Sequence, residues 1–125
     1  MSPTFAPRYA CALELPMAET SRLQAAQAYV LKKPDDRFGL YTLAMELRKV
    51  KEWTACFSTF QRLLALNPGY GAGWYHYGMA TRESGDRAGC IAILRSGLAA
   101  TEQSGDKHAH AEIESALEEA LDEQD

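Results

Sequence analysis

A 34-residue period in the middle of the chain constrains its fold more than any other feature. Residues 35–68, aligned with residues 69–102, are identical at seven positions spread along the unit. A helix–turn–helix unit of this length cannot bury its apolar face alone and becomes stable when neighbouring units stack. The period therefore predicts an all-α superhelix, a solenoid of stacked helix pairs. The identical pairs are Gly39 with Gly73, Tyr41 with Tyr75, Met45 with Met79, Arg48 with Arg82, Cys56 with Cys90, Leu64 with Leu98 and Ala65 with Ala99.

Hydrophobic spacing and local stop signals predict about six helices. Four apolar residues from Leu40 to Leu47 share one helical face, and Asp35 or Asp36 offers the N-cap before them. Gly85 supplies a left-handed residue that ends one helix, and Asp86 caps the next. The predicted helices run over about 19–33, from the cap at Asp35 or Asp36 to about 50, and over about 52–66, 72–84, 87–103 and 107–121.

Small residues recur where two paired helices are expected to cross. Ala44 and Gly78 hold equivalent positions in the first helix of each pair, and Cys56 and Cys90 do so in the second helix. Antiparallel helices that approach within about 8–10 Å leave no room for a large side chain at their crossing. These four residues are therefore predicted to be core.

The residues also resemble a known family. The segment 71–100, GAGWYHYGMATRESGDRAGCIAILRSGLAA, resembles a tetratricopeptide repeat (TPR) through Trp74, Tyr77, Gly78, Cys90, Leu94 and the turn Gly85-Asp86. The segment 40–68 matches through Leu40, Leu43, Ala44, Cys56, Phe60 and Asn67-Pro68. Two departures are the turn Val50-Lys51-Glu52, where Gly-Asp is usual, and Thr101-Glu102, where Asn-Pro is usual.

The resemblance implies the domain organisation of a small bacterial TPR protein. It predicts one TPR domain over 17–125, with two full repeats at about 37–70 and 71–104, a lead-in helix, and a capping helix at about 107–121. Residues 1–16 contain three prolines and no helical period, which predicts a flexible leader.

The resemblance also implies a ligand-binding groove on the concave side of the solenoid. Tyr, Met and Arg recur on the first helix of each pair, beside the core stripe. Tyr and Met offer adaptable apolar area, and Arg can pair with acidic groups of a peptide. The alternative is that these side chains pack against the next helix as core. The predicted groove residues are Phe38, Tyr41, Met45, Arg48, Lys49, Tyr75, Met79 and Arg82, with Ala109 and Ile113 added from the closing helix.

Charge is distributed unevenly along the chain. Residues 1–68 carry nine Lys and Arg against six Asp and Glu, whereas residues 69–125 carry four against eleven. An acidic solvated face on the last helix explains this split. The alternative is a weak homo-oligomer formed head to tail, a self-associating structural module with no separate ligand. The formal net charge of -4 indicates no nucleic-acid footprint.

Cysteine usage and hydropathy indicate the compartment. Three cysteines do not form a disulfide framework, and an odd count is typical of a reducing compartment. The sequence contains no run of about 18 apolar residues that would span a membrane. A cytoplasmic protein is therefore predicted.

The sequence offers little chemistry, so an enzyme is not expected. His108 and His110 lie two residues apart and point in different directions on a helix, so they cannot share a metal ion. His76 has no local Ser or Cys to activate, and Gly69, Gly71 and Gly73 lack the context of a phosphate loop. The expected function is to bind a protein or peptide, as an adaptor or chaperone-like holder, with no metal or cofactor. Lys and Asn, which grip a terminal carboxylate in one TPR class, are absent from the matching positions Tyr41, Met45 and Met79.

Overall fold

The computed structural model describes residues 17–123, and this part of the chain contains six α-helices and no strand. The helices are α1 (Met17–Lys32), α2 (Arg37–Lys49), α3 (Trp53–Leu66), α4 (Gly71–Glu83), α5 (Arg87–Ser104) and α6 (Lys107–Asp122). The all-α class and the six helices are confirmed. The expected leader, residues 1–16, lies outside the described residues, and the division into repeats stays a prediction.

Aspartate caps explain where three of the helices begin. The Asp36 carboxylate accepts a hydrogen bond of 2.8 Å from the Gly39 amide, so Asp36 and not Asp35 is the N-cap of α2. Asp86 accepts an equivalent bond from the Gly89 amide at the start of α5, and Asp106 caps α6 through the Ala109 amide. Each carboxylate satisfies a helix amide that has no partner inside the helix.

The turns inside the two units have the same shape but different residues. Gly85 ends α4 with a φ of 99°, and its equivalent Lys51 follows α2 with a φ of 61°. Glycine adopts this left-handed region at no steric cost, whereas the Cβ of lysine costs about 1–2 kcal/mol there. The departure in the first turn therefore changes the energy of the turn and not its path.

The helices stack in chain order, and two buried clusters hold them together. The first cluster joins α1, α2 and α3 with Ala80 of α4, and the second joins α5 and α6. Half-buried side chains of α4 pack on the second cluster, so α4 also contacts α6. The members with no exposed surface are Ala44, Cys56, Phe60, Leu63 and Ala80 in the first cluster and Cys90, Leu94, Ile113 and Ala120 in the second.

Close approach explains the small residues at the helix crossings. A Cβ placed on Gly78 would lie 2.5 Å from Leu94 Cδ2, a distance that real side chains do not adopt. In the first unit, the Cys56 thiol donates to the Ala44 carbonyl oxygen at 3.4 Å. Within 17–123, no helix is long and apolar enough to cross a membrane.

Candidate protein-binding surface

The first seam, as we call the contact between α2 and α4, contains Tyr41, Met45 and Arg48. All three side chains are half-buried. The Tyr41 ring packs edge-on against Tyr70 and His76, with ring centroids 5.9 Å and 5.7 Å away. Tyr41 and Met45 also contact the first cluster. The predicted groove residues of α2 therefore serve partly as packing between neighbouring units.

Arg48 ties the first seam together through charge. Its guanidinium donates to both carboxylate oxygens of Glu83, from Nε at 2.9 Å and from Nη2 at 2.5 Å. Nη1 lies 3.1 Å from His76 Nδ1. This two-pronged pair fits the planar fork of arginine, and the hydrogen bond from Arg48 lowers the pKa of Glu83. The main cationic group of the seam therefore already has a carboxylate partner from the next unit.

The second seam, between α4 and α6, repeats this arrangement with Tyr75, Met79 and Arg82. Tyr75 and Met79 are half-buried against the second cluster. Arg82 pairs with Glu119 at 3.8 Å and forms a hydrogen-bonded ion pair with Glu123. The two identical arginines thus make matching ion pairs, each with carboxylates one unit further on.

His76, which the sequence analysis considered only as a catalytic residue, is part of this surface. Its ring packs edge-on against Tyr41 and Tyr75, so it links the two aromatic residues of the repeated stripe. Burial, followed by the charge of Arg48, lowers its pKa, which keeps the ring neutral near pH 7. The repeat carried no signal for this role, because Thr42 holds the equivalent position in the first unit.

Phe38 and Lys49 lie at opposite ends of α2, outside the seams. Phe38 is 69% exposed. Lys49 is also exposed, and its Nζ lies 3.2 Å from Glu46 Oε2. The structure therefore divides the eight predicted groove residues into six seam residues and two exposed ends.

The prediction for Ala109 and Ile113 is wrong, because both are buried in the contacts of α6. Ala109 faces Gly71 so closely that a Cβ on that glycine would lie 2.3 Å from the Ala109 Cβ. Ile113 is fully buried beside Gly97. The helical spacing placed them correctly on one face of α6, but that face points into the stack.

An apolar notch of about 290 Å³ lies between α1 and α2. The sequence predicts open apolar surface here, because α1 is a lead-in helix without a partner in an incomplete first unit. Its walls are Arg22, Ala25, Ala26 and Tyr29 from α1 and Phe38, Gly39, Thr42 and Glu46 from α2.

The described residues offer no metal centre and no reactive thiol. Residues 17–123 contain no group of three or more His, Cys, Asp or Glu side chains arranged to hold an ion. His108 and Glu112 contact each other at 3.8 Å across one turn of α6. Burial raises the pKa of the Cys56 thiol to about 12 and also raises that of Cys90. Both thiols are therefore packing residues.

Comparison with known proteins extends the description of the fold. No protein-family model matches the sequence, and no curated protein matches it. Among solved structures, protein BPP2914 from Bordetella parapertussis is 25% identical, with a TM-score of 0.69 over 81% of this chain and 88% of that one. MamA is 15% identical, with a TM-score of 0.62 over 91% of this chain and 72% of that one. Together with the six stacked helices, these likenesses support a TPR-like helical fold.

Proposed function

We propose that this chain is a protein-interaction module that binds a peptide, or a helix of another protein, on the concave side of its stack. The observation that carries the proposal is the half-exposed stripe of Tyr41, Met45, Tyr75 and Met79 along the two seams. Aromatic and methionine side chains give large, adaptable apolar contact, and such residues are enriched in protein interfaces. The same side chains pack the units together, so the surface is rigid before a ligand arrives.

Ion pairs hold the two arginines in place. This supports a preformed binding surface and changes the kind of ligand that we expect. Arg48 and Arg82 are held by Glu83, Glu119 and Glu123, so an acidic ligand group must share or displace a carboxylate. Such competition weakens selection for acidic ligands. A mainly apolar ligand fits the seams better than a strongly acidic one. Two units contact only a few ligand residues, so the affinity of a single site should be modest.

The test replaces seam methionines without disturbing the ion pairs. In Met45→Gln/Met79→Gln, side chains of similar length become polar, whereas the control Ala92→Gln/Ala99→Gln changes two exposed positions on α5. Wild type and both variants, checked for folding by circular dichroism, are used to capture partners from the native lysate. The captured protein is then titrated by calorimetry. A folded methionine variant that binds at least about tenfold more weakly than the control supports the proposal, and equal binding contradicts it.

Self-association is the second candidate function, and the charges at the two ends of the stack favour it. Glu112, Glu114, Glu118 and Glu119 are exposed on α6, whereas Arg22 and Lys32 are exposed on α1 and Lys33 directly after it. Opposite charges attract, and salt screens the attraction. The acidic face of α6 is also typical of a cap that keeps a helix stack soluble, so the peptide-binding proposal is preferred. Light scattering at rising salt separates the two, because only a charge-driven oligomer dissociates.

A further inference from the structure

His76 lies between the two tyrosines of the repeated stripe, where the first and second seams meet. Its ring centroid is 5.7 Å from that of Tyr41 and 5.0 Å from that of Tyr75, and both contacts are edge-on. All three side chains are half-buried, so each keeps some surface that a ligand can reach. The ring therefore lies at the middle of the surface assigned to the ligand.

The contact with Arg48 fixes which nitrogen of the His76 ring carries the proton. Arg48 Nη1 lies 3.1 Å from His76 Nδ1. A guanidinium group can only donate, so Nδ1 must accept and has no proton. Burial, followed by the charge of Arg48, lowers the pKa of His76, which keeps the ring neutral near pH 7. A neutral ring has one proton, and that proton therefore lies on Nε2.

The described residues leave this Nε2 donor available. No hydrogen bond within residues 17–123 uses it. The buried side-chain atoms without a partner in that range are Glu46 Oε1 and Arg87 Nη2, so Nε2 is not sealed in the core. The arginines of the two seams, in contrast, already have carboxylate partners. The stripe thus offers a ligand a neutral donor on an apolar floor.

The charges around the ring favour a neutral acceptor. Arg48 and Glu83 form an ion pair beside the ring, so their charges nearly cancel. The negative charge of Glu112 on α6 also reaches the ring, where it opposes the lowering of the pKa by burial and by Arg48. A carboxylate placed at Nε2 would be repelled by Glu112, whereas a carbonyl oxygen would not.

A backbone carbonyl is free only in some ligand conformations. Inside an α-helix each carbonyl accepts from the amide four residues on, so the side of a helical ligand has no free acceptor. An extended peptide has a free carbonyl at every residue, and its successive side chains point to opposite sides. A donor at the middle of an apolar stripe therefore fits an extended ligand.

We propose that His76 is a specificity-determining residue of the concave surface, and that its Nε2 donates a hydrogen bond to a backbone carbonyl of an extended peptide. Apolar side chains of the peptide, on either side of that carbonyl, lie on Tyr41 and Tyr75. This inference rests on the proposed peptide-binding function and deepens it, because it selects an extended peptide over a continuous helix. Arg48 acts as a positioning residue, since it holds the ring in the tautomer that can donate.

Nitrogen NMR of the full chain tests the donor without a ligand. Long-range ¹H–¹⁵N spectra near neutral pH distinguish a protonated from an unprotonated ring nitrogen, and the signals that disappear in His76→Gln assign the ring. A proton on Nε2 and none on Nδ1 are expected. A proton on Nδ1 overturns the inference, because the accessible nitrogen would then be an acceptor.

The binding test takes its probe from a display library of random linear peptides of about eight residues, which are too short to form a stable free helix. A peptide selected on the wild-type chain is titrated by calorimetry against three variants, each checked for folding by circular dichroism. His76→Phe keeps a ring without a donor, His76→Gln places an amide nitrogen near the position of Nε2, and the matched control His76→Asn places one near Nδ1. His76→Phe and His76→Asn should bind about three- to tenfold more weakly, as expected for one neutral hydrogen bond. His76→Gln should recover most of the wild-type affinity.

A change in the peptide makes the same test on the unmodified protein. Replacing one peptide amide at a time by an ester weakens its carbonyl as an acceptor. One such ester should weaken binding to the wild type by about threefold or more and have little effect on binding to His76→Phe, since the two changes remove the same hydrogen bond.

Equal binding of the selected peptide to wild type and His76→Phe overturns the inference. Failure of the library to yield any peptide also overturns it, as does a His76→Gln variant that binds as weakly as His76→Phe. The proposed function is judged separately, by the partner captured from the lysate. If Met45→Gln/Met79→Gln loses that partner while His76→Phe keeps it, the concave side binds a protein, but through contacts other than the His76 donor.

Discussion

Lys51 and Gly85 occupy equivalent turns, and both have positive φ angles, 61° and 99°. Only the glycine is free of steric strain in this conformation. Lys51→Gly should therefore raise the free energy of unfolding by about 0.5–1 kcal/mol, after the larger entropy of glycine in the unfolded chain is included. The measurement is the midpoint of urea unfolding. Lys51→Ala is the matched control, since it removes the same charge and keeps the Cβ. If both variants gain equal stability, charge and not backbone strain is the cause.

Gly78→Ala should destabilise the second unit, because the added Cβ would lie 2.5 Å from Leu94 Cδ2. Overpacking of this kind costs about 1–3 kcal/mol. Urea unfolding of the single variant measures the loss. Leu94→Val shortens the opposing side chain. The double variant Gly78→Ala/Leu94→Val should therefore lose less unfolding free energy than the two single variants lose together. Strict additivity would show that the clash lies elsewhere.

The helix boundaries could be predicted because their signals are local. Asp36 and Asp86 bind amides within a few residues, and Gly85 adopts the dihedral angles of the turn itself. Each signal is therefore adjacent in sequence to the helix end that it fixes. The choice between Asp35 and Asp36 needed the structure, since both residues stand within reach of the same amides. The core positions followed from helical spacing in the same way.

The candidate surface could be predicted only in part, because it depends on the angle between units. The repeated stripe was found from the period, but its half-burial depends on side-chain contacts with the next unit, such as that of Tyr41 with His76. The Arg48–Glu83 pair joins residues 35 positions apart and has no local signature. Open apolar surface at the unpartnered lead-in helix could be predicted, but the walls of the notch depend on how α1 packs against α2.

Acid should destabilise the first seam through Glu83. The hydrogen bond from Arg48 holds the folded pKa of Glu83 below its ordinary value of 4.5. The stability that this group adds is therefore present above pH 4.5 and is lost as the pH falls through the folded pKa. Glu83→Gln should flatten the dependence of unfolding free energy on pH below 4.5, measured by urea unfolding at several pH values. Glu114→Gln, at an exposed position of α6, is the control. A profile unchanged by Glu83→Gln would show that the pair is not formed in solution.

The Cys56 thiol should be nearly inert in the folded protein. Burial raises its pKa to about 12, so at pH 8 the thiolate fraction is about 10⁻⁴. Its side chain is also fully buried, and its thiol donates to the Ala44 carbonyl. In a Cys11→Ser background, a thiol-reactive chromogenic disulfide should therefore react with Cys56 and Cys90 only as fast as the protein opens. The same two thiols should react at once in guanidinium chloride. Lys51→Gly, which stabilises the fold, should slow the reaction of the thiols in the native protein. If the reaction rate is the same with and without Lys51→Gly, the reagent reaches Cys56 without unfolding of the protein.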